Sequence, residues 1–300
     1  MATGQYIGVN GVARKVTAPY VGVNGVARRV TSGYVGVNGV ARLFFAPDNG
    51  IPVILEVEKV TSDTYANETT YTAEEFILLD IYPKTGGTVN VTYGGLTKTI
   101  TDTSGSEEPN AQQVFFGTFN GVTDNVATPS SGELTIEGDC YAFGCGVYSQ
   151  SSKATVEFCG CITSIGSFGK TTMLPADAFG GFTTKMVMTT IEIPDTILRI
   201  GDRAFYGHKL LQSVTIGKGV LSIGVAAFAS NTDNVLTTVK ILATTPPKLV
   251  VAENSNNANF GTIGDSKFKV EKIIVPKGCG ASYKAATGWS TYADYIAEET

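Results

Sequence analysis

Ile200-Gly201-Asp202-Arg203-Ala204-Phe205 recurs 23 residues later as Ile223-Gly224-Val225-Ala226-Ala227-Phe228. Upstream, Thr190-Ile191-Glu192-Ile193 keeps the same spacing from Val214-Thr215-Ile216, aligned at Ile193 and Ile216. A divergent copy reads Ile162-Thr163-Ser164-Ile165-Gly166, then Ala178-Phe179 after an insertion. A strand, an Ile-Gly turn and an Ala-Phe pair at a period of roughly 20–29 residues describe a solenoid with one strand per coil. One coil cannot close its own core, so Ile, Val and Phe must point inward and stack coil upon coil. With strands about 4.8 Å apart, five coils make a ramp on the order of 20–25 Å tall.

The front of the chain carries a different repeat. Tyr6-Ile7-Gly8-Val9-Asn10-Gly11-Val12-Ala13-Arg14 returns at Tyr20 to Arg28 and Tyr34 to Arg42, a period of 14 residues. Asn-Gly between β-formers is the strongest short hairpin signal, because a type I′ turn needs positive φ at both central residues. A two-residue turn at Asn10-Gly11 pairs Val9 with Val12, Gly8 with Ala13 and Ile7 with Arg14. An isolated hairpin is marginal in water, so the three either stack within the chain or assemble with other chains. Between the two repeats, Ile51 to Val60, Phe76 to Ile81, Thr88 to Tyr93 with Leu96 to Ile100, Val114 to Phe116 and Glu133 to Ile136 read as short antiparallel strands. The expected class is mainly β. It comprises N-terminal β-hairpin repeats over 1–47, a small antiparallel β-sandwich-like domain over 51–138, and a solenoid over 139–300.

Charge and composition narrow the function. Residues 1–47 hold Arg14, Lys15, Arg28, Arg29 and Arg42 and no acid, so that segment carries +5 while the whole chain carries −5. Arg14, Arg28 and Arg42 form either a solvated face with stems packed on neighbouring apolar groups or a docking ladder for an acidic partner. No apolar run reaches membrane-span length, and Met1 to Tyr6 has neither the basic nor the apolar region of a secretory signal. The body is acidic and the basic segment lacks dense Lys/Arg with aromatics, which argues against nucleic acid.

Catalytic material is scarce. His208 is the sole histidine, placed at a coil turn and expected to be exposed. That leaves almost nothing for His-based triads or His-rich metal sites. Cys140, Cys145, Cys159 and Cys161 have Cys-x4-Cys and Cys-x-Cys spacing, which is not a usual zinc pattern. Buried thiols at solenoid turns are the expectation, with no metal and no cofactor. Carboxylates such as Glu192, Asp195 and Asp202 could serve a solenoid glycosidase, but no pair of them clusters in the sequence.

From about residue 155 onward the chain resembles the BspA-type leucine-rich-repeat family of bacterial and protist surface proteins, and more loosely over 135–155. The carrying residues are Thr190-Ile191-Glu192-Ile193-Pro194-Asp195, Ile200 to Phe205 with Tyr206-Gly207, and Leu211-Gln212-Ser213-Val214-Thr215-Ile216. The ending also fits, with Ala243-Thr244-Thr245-Pro246-Pro247, Ile274-Val275-Pro276, Tyr283-Lys284-Ala285-Ala286 and Trp289-Ser290. The resemblance implies a leucine-rich-repeat solenoid closed by a cap helix over 282–298, with Trp289 and Tyr292 or Tyr295 packed on the last coil. His208 departs from the family, which often has Cys there. The hairpin repeat resembles segments at the front of phage and prophage structural proteins of gut bacteria.

These readings lead to a non-catalytic adhesion protein. The first expectation is a phage or prophage virion accessory component, attached to tail or head and assembled in the host cytoplasm. Its hairpins would hold other virion proteins, and its solenoid a host surface protein or glycan. The alternative is a bacterial cell-surface adhesin of the BspA type, and a third reading is the solenoid carbohydrate-active enzyme. Lys209, Lys218, Thr237 and Lys240 are the expected contacts on the solenoid face. A homo-oligomer is compatible with all of these.

Overall fold

A computed structural model describes residues 6–9, 12–15, 20–23, 26–29, 33–37, 40–45, 51–67, 70–103, 110–150, 155–158, 160–180, 186–229, 235–250, 259–261 and 268–300. The chain divides into two units, Met1–Pro52 and Val53–Thr300.

The first unit is a series of three two-stranded antiparallel ribbons. They are β1 (Tyr6–Val9) with β2 (Val12–Lys15), β3 (Tyr20–Val23) with β4 (Val26–Arg29), and β5 (Gly33–Val37) with β6 (Val40–Phe45). Val9 faces Val12, Gly8 faces Ala13 and Ile7 faces Arg14, the register that the Asn-Gly spacing requires. The same register returns at Val21 with Arg28 and Val35 with Arg42. The Asn-Gly residues themselves lie outside the described residues.

The second unit opens as an antiparallel sandwich. Its strands are β7 (Val53–Glu58), β8 (Val60–Asn67), β9 (Thr70–Pro83), β10 (Thr88–Tyr93), β11 (Leu96–Thr101), β12 (Gln112–Phe119), β13 (Val122–Thr123), β14 (Ser131–Gly138), β15 (Cys140–Cys145), β16 (Val147–Gln150), β17 (Thr155–Phe158) and β18 (Ile162–Phe168). One sheet runs β11-β10-β14-β7-β18. The other runs β13-β12-β9-β15, with β8 also on β9, while β16 and β17 pair with each other as a separate ribbon. Alternation turns Val89, Val91 and Tyr93, and Leu134 and Ile136, into the core. The unbroken apolar run Phe76-Ile77-Leu78-Leu79 is buried on both faces.

This corrects the expected boundary at 138/139. Strands β15 and β18 belong to the sandwich sheets, and β15 is also the surface on which the first coil sits. The Cys145 amide donates to Ala178 O at 2.7 Å and the Thr172 amide to Tyr141 O at 3.0 Å. A Cβ on Gly144 would lie 2.9 Å from Ala178 Cα, so glycine permits this approach. Without β15 the first coil would end in unpaired backbone, which is costly when buried.

The solenoid proper has two parallel sheets. One orders β19 (Met173–Leu174), β21 (Arg199–Ile200), β23 (Ser222–Ile223) and β25 (Lys248–Leu249). The other orders β20 (Thr190–Ile193), β22 (Ser213–Ile216), β24 (Thr238–Ile241), β26 (Lys272–Val275) and β27 (Ile296–Glu298). Ile191, Val214, Val239, Ile273 and Ile296 form one inward row, and all are buried.

At the corner of each coil a phenylalanine stacks on the next. Phe143, Phe179, Phe205, Phe228, Phe260 and Trp289 form a column with successive ring centroids 5.6, 5.1, 5.3, 5.7 and 5.8 Å apart. The Ile-Gly turns exist because the coils touch backbone to backbone there. A Cβ at Gly201 would lie 2.5 Å from Ala176 N, and one at Gly224 would overlap Asp202 N and Gly201 C. Two residues before Phe179, Phe205 and Phe228 the chain turns left-handed, at Asp177, Arg203 and Ala226 with φ of 56°, 53° and 53°.

The cap also differs from the expected helix over 282–298. It consists of α1 (Gly280–Ala285), a 3-10 helix (Trp289–Tyr295) and strand β27. Gly288, at φ 81°, breaks the helix. Ile296 then continues the inward row and covers the open edge of β26. Trp289 and Tyr292 pack on Phe260, the latter at 5.5 Å between centroids, and Tyr295 packs on Phe268 at 5.1 Å.

Gly224→Ala must push two coils apart, so it should destabilise the second unit by about 1–3 kcal/mol. Urea denaturation checks this, and an unchanged midpoint would show that the coils do not touch at this turn.

Candidate functional site

The side chains left outside the core decide what this solenoid can touch. On the five-stranded sheet, Thr190, Ser213, Thr238 and Lys272 make one outward row. Glu192, Thr215, Lys240, Ile274 and Ala297 make the next.

The four expected contact residues do not form one cluster. Lys240 lies on the outward row with its Nζ 2.7 Å from Glu299 Oε1. Thr237 precedes the same strand and is used structurally. Its carbonyl accepts the Glu271 and Lys272 amides at 2.8 and 3.2 Å, and its hydroxyl donates to Gln212 O at 3.3 Å. Lys218 sits beyond the opposite end of β22, with its Nζ 3.1 Å from Asp195 Oδ2. Lys209 is exposed in the turn that leads into β22. Arg14, Arg28 and Arg42 stand in register on the hairpin strands; their side chains lie outside the described set.

A groove brings other residues together. Its volume is about 560 Å³, and Lys218, Val220, Leu221, Leu242, the segment 243–247 and Lys248 line it. Leu221 is 66 % exposed and Leu242 39 %. The Leu221 amide donates to Leu198 O at 2.8 Å, and Leu198 is itself 45 % exposed, so an apolar strip on successive coils leads into the groove. The wall Ala243-Thr244-Thr245-Pro246-Pro247 is held from inside. The Tyr283 hydroxyl donates to Ala243 O at 2.7 Å, and Trp289 Nε1 donates to Pro247 O at 2.6 Å. Both aromatic rings are buried cap residues. The wall is therefore preorganised, and a ligand would not have to order it.

Lys218 is the one groove residue among the four expected contacts. The missed signal was Leu198 and Leu221, which lie 23 residues apart at a position outside the inward pattern. Among the described residues two lysines and no carboxylate line the groove, and Asp195 pairs with Lys218. The Lys218 amide at 2.9 Å, followed by its ammonium, holds the Asp195 carboxyl below the usual range.

Two of the three carboxylates considered for hydrolysis, Asp195 and Asp202, have structural partners. Asp195 Oδ1 accepts the Lys218 amide, and Asp202 Oδ1 accepts the Val225 amide at 2.8 Å, each from the following coil. Arg203 grips Asp177 through two bonds of 2.7 Å. Cys140, Cys145 and Cys161 are buried within the sandwich, not at solenoid turns. Cys159 lies outside the described residues. Burial raises the Cys140 thiol to about 12.

His208 corrects a further expectation. It is buried, with Nε2 2.6 Å from Met186 Sδ, and its Nδ1 has no hydrogen-bond partner among the described residues. Its neighbour Phe205 is part of the aromatic column, which draws the ring inward. Burial pushes the imidazole down to about 4.

Residues 172–273 match, in 6 copies, the family model described as BspA type leucine rich repeat region. The solenoid is thus a BspA-type repeat array, as the sequence resemblance implied. No curated protein matches the chain. Among the described residues no helix is long and apolar enough to cross a membrane.

The unfolded chain protonates His208 near pH 6.5, while the folded chain resists until about pH 4. Above 6.5 both states are neutral. Between those values the unfolded state binds more protons, so stability falls with pH by roughly 3 kcal/mol in all. His208→Leu should lose less stability than wild type between pH 7 and 4.5 in paired urea titrations. Identical losses would contradict a buried neutral imidazole.

Proposed function

We propose that this protein is a non-catalytic adhesion protein that works at a surface. Its solenoid groove takes an extended segment of a partner protein rich in leucine-like and acidic side chains. The observation that carries this reading is the exposed strip of Leu198 and Leu221 running into a rigid groove lined by Lys218 and Lys248. Monomeric proteins seldom leave such strips open without a use. A groove of this size accommodates a few residues of an extended chain. The leucines supply the affinity and the lysines favour partners with carboxylates. BspA-type repeats support a surface interaction role in general.

In this reading the hairpin unit anchors or assembles the protein, so that several solenoids face the partner together. Weak single contacts then add through effective concentration. The outward rows of the five-stranded sheet, rich in Thr and Ser, would form the rim of the contact.

A second reading places the protein on a phage or prophage particle. The 14-residue hairpin repeat favours it, being a separate basic unit that could dock on an acidic assembly partner through Arg14, Arg28 and Arg42. Labelling the protein in particle and cell-envelope fractions separates the two locations.

The binding proposal is tested by adhesion of the full chain to immobilised surface proteins. Leu221→Glu should weaken binding at least about tenfold, a change of about 1.4 kcal/mol. Lys218→Glu with Lys248→Glu should shift preference away from acidic partners. Undiminished binding by all groove variants, together with loss in Lys240→Glu and Lys272→Glu, would move the site to the sheet face.

A further inference from the structure

Two buried thiols in the sandwich have no role in adhesion. Cys145 ends β15 in one sheet, and Cys161 immediately precedes β18 in the other. Both residues lie against the same stretch of β9. Cys145 stands in register with Leu79, and the Gly146 amide donates to Leu78 O at 2.9 Å. The Cys161 thiol also reaches Leu78 O, at 3.5 Å. Cys161 is the neighbour that acts most strongly on the Cys145 thiol, holding it up, and neither cysteine takes part in a disulfide. Cys140 turns elsewhere, donating to Ala142 O at 3.3 Å.

We propose that Cys145 and Cys161 form an oxidative modification site, a latent disulfide joining the two sheets, closed by a small-molecule disulfide of the glutathione class. The Cys145 thiolate attacks one sulfur of the reagent, giving a mixed disulfide and releasing one small thiol. The Cys161 thiol then loses its proton and displaces the second small thiol as the protein Sγ–Sγ bond forms. Two protein thiols are oxidised, one reagent disulfide is reduced, and the two protons end on the released thiols. Cys145 goes first because it is 7 % exposed whereas Cys161 is 0 %.

The setting makes closure slow. Its neighbour Cys161 and burial hold the Cys145 thiol well above its ordinary range, so the reactive thiolate is scarce. The chain stays reduced in a reducing compartment and closes after prolonged exposure to an oxidising one. Closure encloses the ribbon β16–β17 in a short loop, which restricts the unfolded chain.

The full chain is incubated with oxidised glutathione, quenched by alkylation and mapped by mass spectrometry without reduction. The expected product is a Cys145–Cys161 linkage. Its melting temperature should rise on the order of 5 °C, and dithiothreitol should reverse the rise. Cys140→Ser should leave the linkage intact. Thiols that remain reduced, stable glutathione adducts without closure, a bond to Cys140 or Cys159, or a lower melting temperature would each overturn the proposal.

Discussion

The second unit depends on one contact made repeatedly: an aromatic ring laid on the ring of the preceding coil. Phe143 begins the column inside the sandwich, Phe179, Phe205, Phe228 and Phe260 carry it through the coils, and Trp289 closes it in the cap. Each ring buries large apolar area, but none has a complete environment without both neighbours. Solenoid coils couple mainly to adjacent coils. Here the column ties the first coil to a preformed sandwich and the last to a hydrogen-bonded cap. The glycines at 201 and 224 let the backbones close to the same spacing, and the left-handed residues 177, 203 and 226 turn the chain ahead of Phe179, Phe205 and Phe228.

The same constraint produces the candidate site. A coil must expose whatever is not needed for stacking, and Leu198, Leu221 and Leu242 are exposed although they are apolar. The cap that completes the column also fixes the groove wall, through Tyr283 on Ala243 and Trp289 on Pro247. Stability and recognition therefore share residues at this end of the molecule. Damage to the cap should be felt at the groove even where no groove residue is altered.

Much of the architecture was legible where a local rule admits one solution. A two-residue Asn-Gly turn leaves a single register, so Ile7 had to face Arg14. Alternation at Thr88 to Tyr93 and Leu96 to Ile100 left one hairpin. The 23-residue spacing of Ile-Gly and Ala-Phe identified the coils. Other features had no local signature. Tyr141-Ala142-Phe143-Gly144-Cys145 shows no repeat spacing, because its partner Phe179 follows an insertion, so its double service to sandwich and solenoid was hidden. His208 reads as a polar turn residue until Met186 and Phe205 are brought against it. Of the site, Lys218 was anticipated on charge alone. The leucines beside it were not, since periodicity assigns apolar residues to the core by default.

Sandwich, coils and cap form one mechanically coupled body through the aromatic column. Trp289 is the only tryptophan and sits in the cap, so its fluorescence reports on the far end from Phe143. Truncating a buried phenylalanine costs about 3–5 kcal/mol. The urea midpoint of Trp289 fluorescence in Phe143→Ala should fall well below that of the wild type. A midpoint left in place would mean that the cap unfolds independently of the sandwich and would contradict coupling through the column.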